Sequence, residues 1–395
     1  MVKSPVAQKK NEADINLKTS IMEHIKSVRL LYAFATTLLL LAALDVAVLA
    51  LDIPSRPNLV LRNEGRSDFF NDYFFHQMRL TTDRPAVAYF GASVIQGFVN
   101  SRPEATMPFR VQEYLHDKSI PSRSFNLAVI GNSFGDQMAL ASESIRNGAD
   151  LLVIPLHFKL FSGQGTLNHM VVHKDNVFYL RGRADFKKLR RKFLRVSDNE
   201  WGKIRIRKNL EFVWAFYRQR KLLSFWLTGE TGPFPKALAT SFAKRIEALG
   251  PLVKNAYNPD QRNADNLWKD KSKVYHDSNR NAYSQIELSR DIIHFQTLEL
   301  LCAMAADRKA NLLFYLIPLN RKANAKFHYF DWKDQARFKE MMREMAGQYD
   351  HGFVDLTDAV DNRYFTDGDH LNMNGHDELA RALTPSIAKA LVSTP

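Results

Sequence analysis

Cysteine is nearly absent from this chain. The one thiol, Cys302, has no intrachain partner, so no disulfide staples the fold, and stability must come from a buried core that 395 residues can supply. Its setting, Leu298-Glu299-Leu300-Leu301-Cys302-Ala303-Met304, is that of a small buried hydrophobe on a core helix. Internal repeats and low-complexity tracts are missing as well, which excludes solenoid and fibrous architectures. Acidic residues are in deficit: 42 Asp and Glu stand against 55 Lys and Arg, a formal net charge of +13. That balance suits an anionic partner surface, either lipid headgroups or an acidic polymer.

What is present is, first, one long apolar run. Leu30–Leu51 is rich in Leu and Ala, with Asp45 its only charge, and is long enough to cross a bilayer as a helix. Lys3, Lys9, Lys10, Lys18, Lys26 and Arg29 precede it, which favours an N-terminus inside and an exported remainder. Val48-Leu49-Ala50 resembles a small-residue cleavage site. The apolar core and the segment before it are nevertheless longer than in a cleaved signal, so an uncleaved anchor is the favoured reading. A buried soluble helix is the remaining alternative, but this one lacks a polar face. Asp45 sits near the outer end, placed for the interface or for a partner helix.

Beyond Arg84 the pattern alternates apolar strand, glycine turn and helix. Ala86–Phe90, Ser124–Ile130 and Leu151–Ile154 read as strands, with a helix over Gly135–Asn147. After residue 290 the pattern resumes: a helix over Ile292–Asp307, a strand over Asn311–Ile317, a helix over Lys333–Gln348, a strand over Gly352–Leu356 and a closing helix. Such alternation predicts an α/β fold with a doubly wound parallel sheet whose ligands bind at the carboxyl ends of the strands. The expected organisation is a cytoplasmic tail over 1–28, a transmembrane anchor over 29–51, a linker over 52–80, a first part of the core over 81–160, a basic helical insertion over 161–290, and the rest of the core over 291–395.

The insertion mixes Lys187, Lys188, Arg190, Arg191, Lys192 and Arg195, then Lys203, Arg205, Arg207 and Lys208, with Trp201, Phe212, Trp214, Phe216, Tyr217, Phe225 and Trp226. Nucleic acid is an unsuitable partner for an exported domain. Two readings stay open: a membrane-facing helix, with aromatics at headgroup depth and cations at lipid phosphates, or an ordinary helix with its aromatics on the core.

Two short motifs carry chemistry. Ala86-Val87-Ala88-Tyr89-Phe90-Gly91-Ala92-Ser93-Val94-Ile95-Gln96-Gly97 is a strand that breaks at a glycine and presents a serine at the start of a turn or helix. Far downstream, Asp367-Gly368-Asp369-His370 is a D-x-x-H block expected to open a helix. A carboxylate three residues before a histidine can hold the imidazole in one tautomer as a general base. Taken singly, the first is also a small-residue turn with a capping serine, and the second also an ordinary helix cap. Ser93, Gly131, His157 and the Asp367–His370 turn all fall at strand ends, so the topology alone predicts their convergence.

Together with Asn126, Leu127 and Gly131, these blocks resemble the SGNH (GDSL-type) hydrolase superfamily. Gly91, Ser93 and Gly97 match its first block, with Ala92 in place of the family's Asp. Asn126, Leu127 and Gly131 match the second, and Asp367, His370, Asn372 and Gly375 the last. The likeness covers residues 80–160 and 295–395. The third block, which brings an asparagine to the oxyanion hole, is missing: Leu151-Leu152-Val153-Ile154 runs into Pro155-Leu156-His157-Phe158. That region is more similar to the membrane-anchored D-alanyl transfer proteins of the teichoic-acid pathway.

The resemblance implies Ser93 as nucleophile, His370 as base and Asp367 as its orienting acid, with the N–H groups of Ser93 and Gly131 in the oxyanion hole. His157 is the residue at hand to take the missing donor's place, the competing reading being a hydrogen-bonded histidine at a strand end. No cofactor is needed. Asp369 and His376 lie near for a metal, but no convincing ligand cluster accompanies them. Anchored relatives, including alginate O-acetyltransferases, work beside a membrane-bound O-acyltransferase, so the expected activity is acyl transfer to a cell-envelope polysaccharide or polyol polymer outside the cytoplasmic membrane. A periplasmic esterase or lipase and a non-catalytic scaffold are the alternatives.

Overall fold

A computed structural model of the chain describes residues 5–56, 70–80, 82–97, 102–161, 198–228 and 292–392, together with residues 58, 61, 62, 176, 179, 265, 266, 269, 277, 280 and 288–290. The basic cluster Lys187–Arg195 and most of the expected insertion lie outside these residues. By contacts the chain divides into two units: Met1–Ile53 with Leu210–Arg220, and Pro54–Asn209 with Lys221–Pro395.

In chain order the elements are α1 (Pro5–Leu51), α2 (Asn71–Arg79), β1 (Ala86–Tyr89), α3 (Ser93–Gln96), α4 (Met107–Asp117), β2 (Arg123–Asn126), α5 (Phe134–Arg146) and β3 (Leu151–Leu156). Then follow α6 (Asp198–Val213), α7 (Ala215–Thr228), α8 (Ile293–Asp307), β4 (Asn311–Leu316), α9 (Arg321–Phe327), α10 (Trp332–Gln348), β5 (Gly352–Asp355) and α11 (Met373–Val392). The helix α1 begins at Pro5, so the polar segment ahead of the apolar run is helical too. Within Val28–Ser55 lies the one span among the described residues that is long and apolar enough to cross a membrane, with mean hydropathy 2.3. Leu30, Leu31, Tyr32, Phe34, Leu39 and Leu40 are exposed along it. A segment of this length and composition can serve as a membrane anchor or a signal sequence.

The five strands are all parallel, in the order β2-β1-β3-β4-β5. Every residue of β1 and β3 is buried, as expected of strands covered on both faces, and this is why they read as unbroken apolar runs. Two helix groups flank the sheet. In one, α4 packs on α11; in the other, α5 packs on α8 and α2. The sheet core is filled by Tyr89, Phe90, Leu151, Leu152, Val153, Phe314 and Tyr315.

Two strand ends, those of β2 and β3, differ from expectation by more than one residue. The β1 strand stops at Tyr89 and turns away at Gly91. The expected tail of β2, Leu127–Ile130, therefore has no strand to pair with, and only Leu127 and Val129 donate N–H groups back, to Tyr89 and Gly91 carbonyls. On the other side, β3 runs on past Ile154 to Leu156. Pro155, which lacks an N–H, sits beyond the last pair with β1 and opposite Tyr315 of β4.

Within the expected insertion, α6 and α7 are helical. Phe225 packs edge-on against Phe70 with ring centroids 5.1 Å apart, and Arg56 lies over the Trp226 ring at 4.8 Å. Those two aromatics are thus turned onto the protein, while Ile206 and Leu227 are exposed.

Candidate active site

The strand order reverses direction at β1, and in such sheets a crevice opens outside the carboxyl ends of the strands. Ser93 follows β1, Gly131 follows β2, His157 follows β3, Asn320 follows β4, and the Asp367–His370 turn follows β5.

Ser93 is the first residue of α3, a single turn closed by the left-handed Gly97. Gly91 has φ +139°, and a Cβ there would come within 2.7 Å of Ile95 Cγ1 and 3.1 Å of Pro155 Cγ. Glycine is thus required twice over, by conformation and by crowding. Carbonyls at the end of α3 are held from below. Arg62 donates from Nη1 to Gly97 O at 2.9 Å and to Gln96 O at 3.3 Å, and Asn126 donates from Nδ2 to Ile95 O at 3.3 Å. The turn carrying the serine is therefore clamped at the end opposite its hydroxyl.

The D-x-x-H block differs from expectation. It does not open a helix; it forms a turn ahead of one, closed by the antiparallel bridge Phe365↔Leu371 and by the Thr366 N–H donating to His370 O at 2.8 Å. The helix that follows, α11, is capped instead by Asn372, whose Oδ1 accepts from the Gly375 N–H at 3.0 Å. The Asp367 carboxylate does a cap's work inside its own turn, accepting from the His370 N–H at 2.7 Å and the Asp369 N–H at 3.0 Å. Asn320 ties this turn to β4. Its Nδ2 donates to Asp367 O at 3.2 Å, its N–H donates to Gly368 O at 3.3 Å, and its Oδ1 accepts from Ala323 N to cap α9.

Ser93 Oγ lies 2.6 Å from His370 Nε2, and His370 Nδ1 lies 2.8 Å from Asp367 Oδ2. Residues separated by 277 positions are thus brought to hydrogen-bond distance in the order serine, imidazole, carboxylate. Among the described residues, neither the Ser93 nor the Gly131 amide N–H is paired. Gly131 takes φ +78° with open space where a Cβ would stand.

His157 makes a contact that the sequence does not announce. Its Nε2 lies 2.8 Å from Asp369 Oδ2, and Asp369 Oδ1 lies 3.2 Å from His370 Nδ1. The ligand atoms of Asp367, Asp369 and His370 fall within 4.8 Å of one another, near enough to share a cation. The same atoms already bond one another, so a metal would have to displace those contacts. His376 belongs elsewhere: its Nδ1 accepts from the Met107 N–H at 3.2 Å.

Electrostatics follow from these neighbours. Burial works against a charged His370, but the Asp367 and Asp369 carboxylates outweigh it and raise its pKa to about 10. Burial, with the charges of Arg62 and His370, lowers His376 to about 3 and keeps it neutral.

No protein-family model and no curated protein matches the chain. Among solved structures, one of a "putative acylhydrolase" from Bacteroides fragilis is similar, with a TM-score of 0.32 and 12% identity, covering 80% of this chain and 94% of that one. At that score and identity the likeness carries no inference about activity.

Proposed function

We propose that the protein is a serine acyl-transfer enzyme with Ser93 as nucleophile, His370 as general base and Asp367 as orienting acid. The observation that carries this is the unbroken chain of contacts from Ser93 Oγ through His370 to Asp367, at 2.6 and 2.8 Å. Ser93 Oγ attacks an ester carbonyl carbon as its proton passes to His370 Nε2. The oxyanion gathers on the Ser93 and Gly131 N–H groups, each such donor being worth about 10²–10³ in rate. Collapse breaks the ester C–O bond, the leaving alkoxide takes the proton from His370, and the acyl group stays on Ser93. An acceptor hydroxyl then gives its proton to His370 and attacks the acyl-serine; the acyl–Oγ bond breaks, Ser93 Oγ takes that proton back from His370, and the free enzyme is restored. No cofactor enters these steps.

Within this reading the enzyme is a single-pass protein of the cytoplasmic membrane, anchored by α1 with its N-terminus inside, and its acceptor is a cell-envelope polysaccharide or polyol. The exposed apolar span of α1, the basic residues before it and the SGNH-like blocks support this. A membrane-bound O-acyltransferase would hand over the acyl group. Replacement of the usual oxyanion asparagine by the segment Leu156-His157-Phe158 suits a slow enzyme fed locally rather than a fast hydrolase. The deciding experiment compares ester-linked acyl groups on envelope polysaccharides from cells with the wild-type chain, with Ser93→Ala and without the protein. Equal loss in the last two supports transfer. Unchanged acylation in both, with rapid Ser93-dependent hydrolysis of small soluble esters, replaces it with an esterase whose acceptor is water.

A further inference from the structure

Asp369 adjoins His370 in sequence, and side chains of neighbouring residues ordinarily point apart. Here the tight turn bends both onto one spot. Asp369 is buried, and its two carboxylate oxygens divide between two imidazoles: Oδ1 is 3.2 Å from His370 Nδ1, and Oδ2 is 2.8 Å from His157 Nε2. The geometry points to Asp369 as a second positioning carboxylate for His370, held against the ring by His157, so that the imidazole is gripped at Nδ1 from two sides. This rests on the reading of His370 as the base and gives His157 a task other than oxyanion binding.

A buried carboxylate needs hydrogen bonds to stay ionised in place, and His157 is the fixed partner that supplies one from the end of β3. Removing His157 takes that bond from a buried carboxylate and weakens its hold beside the ring. Among the described residues, the titratable groups facing His370 are Asp367 and Asp369 from its own turn, His157 through Asp369, and His376 from α11, the last with Arg62 beside it. Since Asp367 already fixes the tautomer, Asp369 adds charge and restricts ring rotation about the bond that aims Nε2 at Ser93.

The test measures the titration midpoint of each histidine in the full-length, detergent-solubilised chain, from hydrogen–deuterium exchange at the imidazole Cε1 position across a pH series read by peptide mass spectrometry. Exposed His116 serves as the internal control. Asp369→Asn should lower the His370 midpoint by at least about one pH unit, the scale of one lost carboxylate neighbour. His157→Ala should lower it in the same direction, and His157→Gln, whose amide can still donate to the carboxylate, should restore it. His116 should stay put throughout.

A His370 midpoint unmoved by Asp369→Asn overturns the proposal, and so does a midpoint that rises in His157→Ala. Should Asp369→Asn not fold, the two His157 variants decide alone. Fluorophosphonate labelling of Ser93 is measured in parallel. Midpoints that shift as stated in a chain that never labels support the Asp369 contact and sink only the nucleophile assignment.

Discussion

Asn320 and Asp367 are joined by a bond that fixes the acid's backbone rather than its carboxylate: the Asn320 Nδ2 donates to Asp367 O, while its Oδ1 caps α9. One side chain at the end of β4 thus fastens the D-x-x-H turn to the sheet and begins the next helix. Asn320→Ala should cost stability by about 1 kcal/mol through the lost cap, and should slow Ser93 labelling further than that loss explains. Asn320→Asp keeps the acceptor and loses the donor, so it should retain stability and still label slowly. Thermal melts beside labelling rates check this; equal rates for Asn320→Asp and wild type would show that the Nδ2 bond to Asp367 O is not needed to place the turn.

The pH dependence follows from His370. A base must be neutral to accept the serine proton, and with a pKa of about 10 the ring is largely imidazolium at neutral pH. The rate of Ser93 labelling should therefore climb about tenfold per pH unit from neutrality and level off near pH 10. A plateau reached by pH 7 would show that the carboxylates do not hold the charge on the ring.

Stability should peak near neutral pH. His370 has its pKa raised on folding, so its contribution is full below its ordinary 6.5 and is lost as pH rises through about 10. His376 has its pKa lowered, so its contribution is full above 6.5 and is lost as pH falls towards about 3. His376→Gln should flatten the acid side of a denaturant-midpoint profile and leave the alkaline side unchanged.

The two glycines of the site should respond differently to alanine. At Gly131 a Cβ meets open space, so the cost is that of the left-handed backbone alone, about 1 kcal/mol. At Gly91 the added Cβ would also strike Ile95 and Pro155, so Gly91→Ala should be the more destabilising and should displace Ser93. Denaturant titration of both variants ranks them.

The apolar span predicts its own readout. Full-length chain should stay with membranes through a carbonate wash, and external protease should cut beyond residue 60. Recovery of a shortened soluble form would identify a cleaved signal.

The strands were legible because buried parallel strands are apolar, as β1 and β3 are throughout and β4 is after Asn311, and because glycines mark where they turn. The meeting of Ser93, Asp367 and His370 was legible because each stands in a short local spacing that survives outside its fold. Asn320, Arg62 and the pairing of His157 with Asp369 were not: each acts on a group far along the chain, and no spacing connects position 157 to 369 or 62 to 97. The start of α11 was misplaced because Asp367 and Asn372 are both good cap residues, and only the Phe365↔Leu371 bridge decides between them. For most of the insertion, alternating charge and aromatics fit a core-facing and a lipid-facing helix equally well.

On the proposed assignment, the distance in sequence between Ser93 and His370 also sets when the protein can act. A chain emerging from synthesis presents its serine early, and that hydroxyl then has nothing to receive its proton. The base comes with the final stretch, after β4 and β5 have been added to the sheet's far edge. Until then an ester meeting Ser93 meets an ordinary alcohol, so reactivity is withheld until the last strand has docked.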